Sequence, residues 1–260
     1  SNRLIEEFML LANKKVAEKI SLGPKPPGGA KNVKGGTAKT AGVFVYRIHD
    51  LPNKEKMEDL AFFLRSLGHK VSLKDGIIPT WEINNLLEKL SGKNEKDTVH
   101  RAVIRSMAKA IYSTKNIGHY GLAFKYYTHF TSPIRRYPDI VVHRIMADYL
   151  RGVKIGKEKI HLYETISLKA SEQEKRAAEA ERASIKYKQV EYMSVRLGQK
   201  FEGIISGITE WGIYVEEIET KCEGLVKVRE GEKVYKLGDR IKVRVQSVDL
   251  EKKTIDYVLA

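Results

Sequence analysis

Arg135 and Arg136 stand side by side after Ser132-Pro133-Ile134, inside the run HYGLAFKYYTHFTSPIRRYPDIVVHR at 119–144. No other stretch of the chain is as dense in aromatic, basic and hydroxyl residues. The chemistry such a pattern supports is anion binding. A guanidinium presents a planar fork of donors to phosphate oxygens, and the free N–H groups of a helix start add to it. Ser132-Pro133 is one such start, because Ser caps well and Pro suits the first helical position. Tyr137-Pro138-Asp139 is a second, with an acid in the new first turn. Pro138 cannot lie deep inside a helix begun at Pro133, since its ring would clash with the carbonyl of Ile134. The spacing therefore predicts a short turn over 134–137 and a redirected helix over about 138–151. Val141, Val142, Ile145, Met146 and Tyr149 would form its buried side.

The elements around this turn must hold it in place. Residues 3–20 read as an amphipathic helix with Leu4, Phe8, Leu11 and Val16 toward the core. Residues 21–42 are rich in Gly, Pro and Lys and read as a flexible basic loop. Val43 to Ile48 is a short strand. His49-Asp50 before Pro52 could be catalytic in principle, but this pattern is more often turn chemistry. Helices are predicted over 53–67 (stopped by Gly68), 80–91 (capped by Thr80) and 96–112. Arg101 and Arg105 share one face of the last. A long helix over 160–195 carries a narrow stripe of Ala180, Ala183, Tyr187 and Val190. Glu181 lies on another face with Ala178 and Ile185. It is either a buried arginine partner or a solvated helix charge, the second being commoner.

After Leu197 the periodicity changes to two. Strands are predicted at 201–205, 212–215, 222–226, 240–245 and 254–259, with Arg240, Lys242 and Arg244 outward and Ile241, Val243 and Val245 inward. Five short strands with glycine turns predict a small closed barrel. Phe201, Trp211 and Tyr214, if exposed beside basic strands, would stack on bases of a single strand. The competing reading is that one or two of them fill the core.

Composition narrows the class. The net charge of +14 and pI near 9.6 point to a polyanionic partner. The single cysteine, Cys222, excludes an internal disulfide and a cysteine-rich zinc site, and fits a reducing cytoplasm. No apolar run reaches membrane-spanning length, so no membrane partner is expected.

HYGLAF followed by HFTSPIRRYPDIVVHR resembles the signature of the ribonuclease II/ribonuclease R family (RNB exoribonucleases), and most its ribonuclease R branch. RLIEEFMLLAN, VYRIHDLP and AEAERASIKYK are similar to other parts of that catalytic domain. The last 65 residues or so resemble its S1 domain, an OB-fold RNA-binding barrel. The resemblance implies an α+β chain. Residues 1–195 would be the C-terminal part of the catalytic domain, mainly helical, with the loop at 21–42. Residues 196–260 would be the S1 barrel, shortened between Val228 and Tyr235 and so incomplete by a strand or a loop.

It also implies hydrolytic, processive 3′→5′ degradation of single-stranded RNA to nucleoside 5′-monophosphates, with magnesium and no other small-molecule cofactor. Arg135 matches the arginine that grips the scissile-region phosphate, and Arg136 a second phosphate contact. Glu181 matches a functional acid near the metal, and Glu7 a position close to bound nucleotide. His129, Ser132, Tyr137 and His143 are scaffold for the arginine turn. The family's magnesium ligands are a tight aspartate cluster upstream of the segment matching RLIEEFM. Here Asp50, Asp139 and Asp148 are scattered, so this chain alone is expected not to hold the metal or to cleave. The missing cluster keeps a second reading in view, a non-catalytic S1-type RNA-binding protein.

Overall fold

The computed structural model describes residues 2–23, 43–92, 96–153, 156, 158–228 and 235–260. Most of the predicted basic loop at 21–42 lies outside the described residues. The chain forms two compact units that do not follow chain order. The first comprises residues 1–51 and 108–176, the second residues 52–107 and 177–260.

The first unit is built on α1 (Asn2–Leu22), β1 (Tyr46–Ile48), β2 (Ile111–Ser113), α5 (Tyr137–Leu150) and the start of α6 (Glu158–Ser194). β1 and β2 pair antiparallel, Arg47 opposite Tyr112. Phe44, Val45 and Ile48 pack with Ala17, Val142 and Ile145 in its core. The buried side of α1 differs from the predicted one, of whose four residues Val16 packs partly against the core. Leu4, Phe8 and Leu11 are exposed, while Asn13, Ala17, Ile20 and Ser21 are buried. At about 100° per residue these two sets lie on opposite sides of the helix. The small Ala17 admits close packing, and the carboxamide of Asn13 serves backbone groups that a leucine could not.

The 96–112 helix is shorter than its periodicity predicts. α4 spans Lys96–Ser106, and Ile111 and Tyr112 leave it to form β2. Sheet pairing with β1 outweighs a helical pattern made largely of β-branched residues. Thr80 is the first residue of α3 (Thr80–Lys89) and not its cap, which is Pro79. α2 (Lys54–Ser66) starts as its sequence predicts, Asn53 accepting the N–H of Glu55 at 2.8 Å. Met57, Leu60 and Leu64 of α2 pack with Ile83, Val99 and Val103 in one core of the second unit.

Its other core fills a closed barrel in the order β3-β4-β5-β7-β6, as five glycine-punctuated strands predict. The strands are β3 (Lys200–Thr209), β4 (Gly212–Glu217), β5 (Glu223–Val226), β6 (Arg240–Asp249) and β7 (Thr254–Leu259). All neighbours pair antiparallel except β5 with β7. Arg240, Lys242 and Arg244 face solvent, while Val243 and Val245 are buried, matching the predicted alternation. Gly212 turns β3 into β4 at φ +139, and a Cβ there would run into the carbonyl of Val226. Residues 229–234 lie outside the described residues.

α6 contributes residues up to Arg176 to the first unit and from Ala177 to the second. Tyr163 and Ser167 are buried near one end and Val190 and Met193 near the other. The predicted stripe is not a packing seam at its middle, where Ala180, Ala183 and Tyr187 are exposed. Good helix formers and pairs such as Arg176 with Glu172 suit a solvated helix there. No helix among the described residues is long and apolar enough to cross a membrane.

Candidate functional site

The arginine turn is held from both sides. Upstream, Thr128 donates from Oγ1 to the carbonyl of Val45 at 2.7 Å, and Arg47 N–H reaches the carbonyl of Tyr127 at 3.0 Å. Asn13 then fixes the next two residues. Its Oδ1 accepts the backbone N–H of Phe130 at 2.9 Å and of Thr131 at 3.3 Å, and its Nδ2 donates to the Tyr127 hydroxyl at 3.2 Å. His143 completes the grip, its ring stacked on Phe130 at 4.0 Å and its Nε2 2.8 Å from the Phe130 carbonyl.

The turn closes as the two helix-start signals predict. The carbonyl of Ser132 accepts the N–H groups of Arg135 and Arg136 at 3.3 and 3.1 Å, and α5 begins at Tyr137. Asp139 sits in the first turn of α5, fully buried. Its Oδ2 accepts the backbone N–H of Ser132 and Nη2 of Arg136, both at 2.8 Å. Arg136 is thus partly neutralised and mostly buried. Arg135 is exposed and makes no ion pair among the described residues.

Arg135, Arg136 and Thr131 line a cleft of about 490 Å³ with Asn13, Glu6 and Met9 of α1. Two of the lining groups have unmet capacity. Thr131 Oγ1 and Arg136 Nε are buried and have no hydrogen-bond partner among the described residues. Asp139 Oδ1 is likewise buried without a partner among the described residues. Glu6, rather than Glu7, lines the cleft; Glu7 is exposed on the same helix. Glu181 is exposed on α6, in the second unit. Among the described residues no three His, Cys, Asp or Glu side chains are placed to hold a metal ion, so the groups present do not by themselves fit magnesium.

On the barrel, Trp211 and Tyr214 are exposed at 73% and 38%, whereas Phe201 packs partly against the core. Tyr214 also lines a second cleft of about 860 Å³, within the second unit, alongside Arg105, Lys56 and Lys186. Arg101 at its wall pairs with Glu216, which Lys221 approaches at 3.6 Å. An exposed ring beside cations combines stacking with phosphate attraction.

The RNB domain family matches residues 1–152, which include the whole arginine turn. The chain belongs to the RNB domain family. The S1 RNA binding domain family matches residues 194–258, the barrel. Ribonuclease R of Aquifex aeolicus is 38% identical over 280 residues, covering 100% of this chain and 37% of that protein. Ribonuclease R of Thermotoga maritima is 35% identical over 283 residues, with 100% and 37% coverage. The chain therefore spans less than two-fifths of the length of these relatives. The apo form of Mycoplasma genitalium RNase R superposes with a TM-score of 0.81 at 25% identity, over 98% of this chain and 41% of that one. The same protein in complex with ribose-methylated single-stranded RNA gives 0.82 at 25% identity, with the same coverage.

His49, His119 and His129 are engaged within the fold. His49 accepts Gly121 N–H at Nδ1 (2.9 Å), and its Nε2 lies 2.7 Å from the Ala108 carbonyl. Asp50 Oδ1 accepts the N–H of Leu51 at 2.7 Å, a local turn contact, whereas the His49 ring bonds to residues far along the chain. Burial, with nearby His49 and Arg47, lowers the pKa of His119 to about 4. Burial and the Arg136 and Arg47 charges lower that of His129 to about 3. Burial raises the pKa of Tyr112 to about 12, and its hydroxyl is hydrogen-bonded with His129 Nδ1 at 2.8 Å. Neutral imidazoles are favoured in the fold, so this contribution to stability is complete above the ordinary histidine pKa. As pH falls from about 6.5 toward 4, the unfolded chain takes up the protons first and stability drops. Urea midpoints measured across that range are expected to fall; a flat profile would contradict the buried neutral assignment.

Asn13 was not among the sequence candidates. The signal for it is a polar, poorly helix-forming residue within the apolar run FMLLAN, which periodicity alone treats as a surface position.

Proposed function

We propose that the protein carrying this chain is a hydrolytic 3′→5′ exoribonuclease. It would degrade single-stranded RNA processively to nucleoside 5′-monophosphates with magnesium in the cytoplasm. The observation that carries this reading is the cleft at the arginine turn, whose unmet donors lie inside an RNB match that spans the turn. Residues 1–195 are the C-terminal part of the catalytic domain and residues 196–260 the S1 domain.

In this reading a backbone phosphate enters the cleft and accepts from the Arg135 guanidinium, with Arg136 Nε and Thr131 Oγ1 completing its oxygens. Arg135 stabilises charge that grows on the phosphoryl oxygens in the transition state, which a planar fork does better than an ammonium. Glu181 acts as the second catalytic group, and Glu7 lies near bound nucleotide. Magnesium, when bound, supplies an activated water. Its carboxylate ligands would lie outside the residues of this chain, as the family resemblance implies. Phe201, Trp211 and Tyr214 contact bases, and Tyr214 and Trp211 are the more accessible.

The test is end-labelled single-stranded RNA incubated with the full-length protein, with magnesium or with a chelator. Magnesium-dependent release of mononucleotides from the 3′ end is expected, and RNA that stays intact overturns the reading. The 260-residue chain alone is expected to bind RNA without shortening it. In that binding assay Tyr214→Ala should weaken affinity by roughly 5-fold to 100-fold, since a base stacked on an aromatic ring is worth about 1–3 kcal/mol. Unchanged affinity would remove Tyr214 from the interface.

A further inference from the structure

We infer that Asp139 is a positioning residue for the phosphate grip, acting through the arginine turn and not on RNA itself; this rests on the Arg135 reading above. Asp139 is fully buried, an expensive place for a carboxylate, and its Oδ1 has no partner among the described residues, so all its side-chain hydrogen bonds run through Oδ2. One oxygen, Oδ2, is shared between the backbone N–H of Ser132 and Nη2 of Arg136, each at 2.8 Å. These two donors flank Pro133, Ile134 and Arg135. The same turn is closed by Ser132's carbonyl, which accepts from Arg135 and Arg136. Both polar groups of the Ser132 backbone are therefore committed, and one of them depends wholly on Asp139. The side chains of Ile134 and Arg135, the exposed tip, make no hydrogen bond or ion pair among the described residues, and the Arg135 backbone is tied to Ser132. Arg135's reach is set by the clamp at the base of the turn.

The pairing also fixes Arg136. It engages Nη2 and leaves Nε, buried and without a protein partner among the described residues, outside the pairing. Removing the carboxylate would free the whole guanidinium and loosen the start of α5. Misplacement of a positioned group by about 1 Å can cost up to about 10²-fold in rate.

The test measures kcat, KM and melting temperature in the full-length protein on end-labelled single-stranded RNA. Asp139→Ala is expected to lose about tenfold or more in kcat at nearly constant KM. Asp139→Asn, whose amide oxygen still accepts from Ser132, should recover much of that loss without reaching wild type. Added to Arg135→Ala, Asp139→Ala should cost less than about twofold more, because groups acting through one another are not additive. A wild-type kcat for Asp139→Ala, or losses that multiply in the double variant, overturns the inference. Should Asp139→Ala not fold, Asp139→Asn decides in its place, and a wild-type kcat then overturns it. If Arg135→Ala itself leaves turnover unchanged, the Arg135 reading has failed, which is distinct from a failure of the clamp.

Discussion

Arg135→Ala is expected to cut turnover of the full-length protein by about 10²-fold or more, while single-stranded RNA binding changes only a few-fold. The structure supports this split. Arg135 is exposed at the mouth of its cleft and belongs to no ion pair among the described residues, so its removal should barely disturb the fold. In the proposed reading, ground-state affinity would be spread over many groups: a basic chain, an exposed Tyr214 and Trp211, and the cations around Tyr214. One arginine contributes little to that sum. Its distinctive contribution in the proposed reading would come where phosphoryl charge develops, which is read in kcat. Arg135→Lys should recover only part of the loss, because an ammonium cannot make the bidentate contact. Single-turnover kinetics beside a filter-binding titration separate the two quantities. Equal losses in both would make Arg135 a binding residue, and an unchanged rate would remove it from the site.

Asn13→Ala is expected to have the largest effect on stability, about 2–4 kcal/mol, together with a loss of turnover. The carboxamide is 4% exposed and bonds to Phe130 N–H, Thr131 N–H and the Tyr127 hydroxyl. Truncation strands the two backbone donors, and each buried unsatisfied group costs about 1–3 kcal/mol. The same change releases the strand that delivers Thr131 and Ser132 to the turn, so stability and catalysis should fall together. Asn13→Asp is the informative companion. Its carboxylate retains an acceptor for both N–H groups and loses the donor to Tyr127, so it should destabilise less than alanine. Urea denaturation of the chain, monitored by circular dichroism, gives the comparison. An alanine variant as stable as wild type would show that the bonds around Asn13 contribute nothing net.

The contrast between Arg135 and Asn13 shows what can be read from a sequence and what cannot. The redirected helix at Tyr137 was legible because it follows from local sterics: Pro138 cannot continue a helix begun at Pro133. The barrel was legible for a similar reason. Strand alternation in Arg240 to Val245 and the glycine turns are properties of neighbouring residues, and the five strands close as that pattern predicts. The RNB resemblance was legible because the motif from His119 to Arg144 is contiguous in the chain.

What only the tertiary structure decided depends on residues far apart in sequence. The apolar stripe of Leu4, Phe8 and Leu11 satisfies helical periodicity, yet α1 buries the side bearing Asn13, Ala17 and Ile20. Periodicity ranks faces by transfer free energy. It cannot register that the segment 127–131 brings unpaired N–H groups which a carboxamide, and no leucine, can satisfy. The 96–112 helix failed at its end for the same reason, because β1 offered Ile111 and Tyr112 a sheet partner more than 60 positions upstream. The burial of Asp139, the placement of Glu6 rather than Glu7 in the cleft, and the unmet donors of Thr131 and Arg136 are likewise products of packing. Residue type names the chemistry a side chain can do. Which of those groups are desolvated, paired or left open to a ligand is set by the neighbours that the fold brings to them.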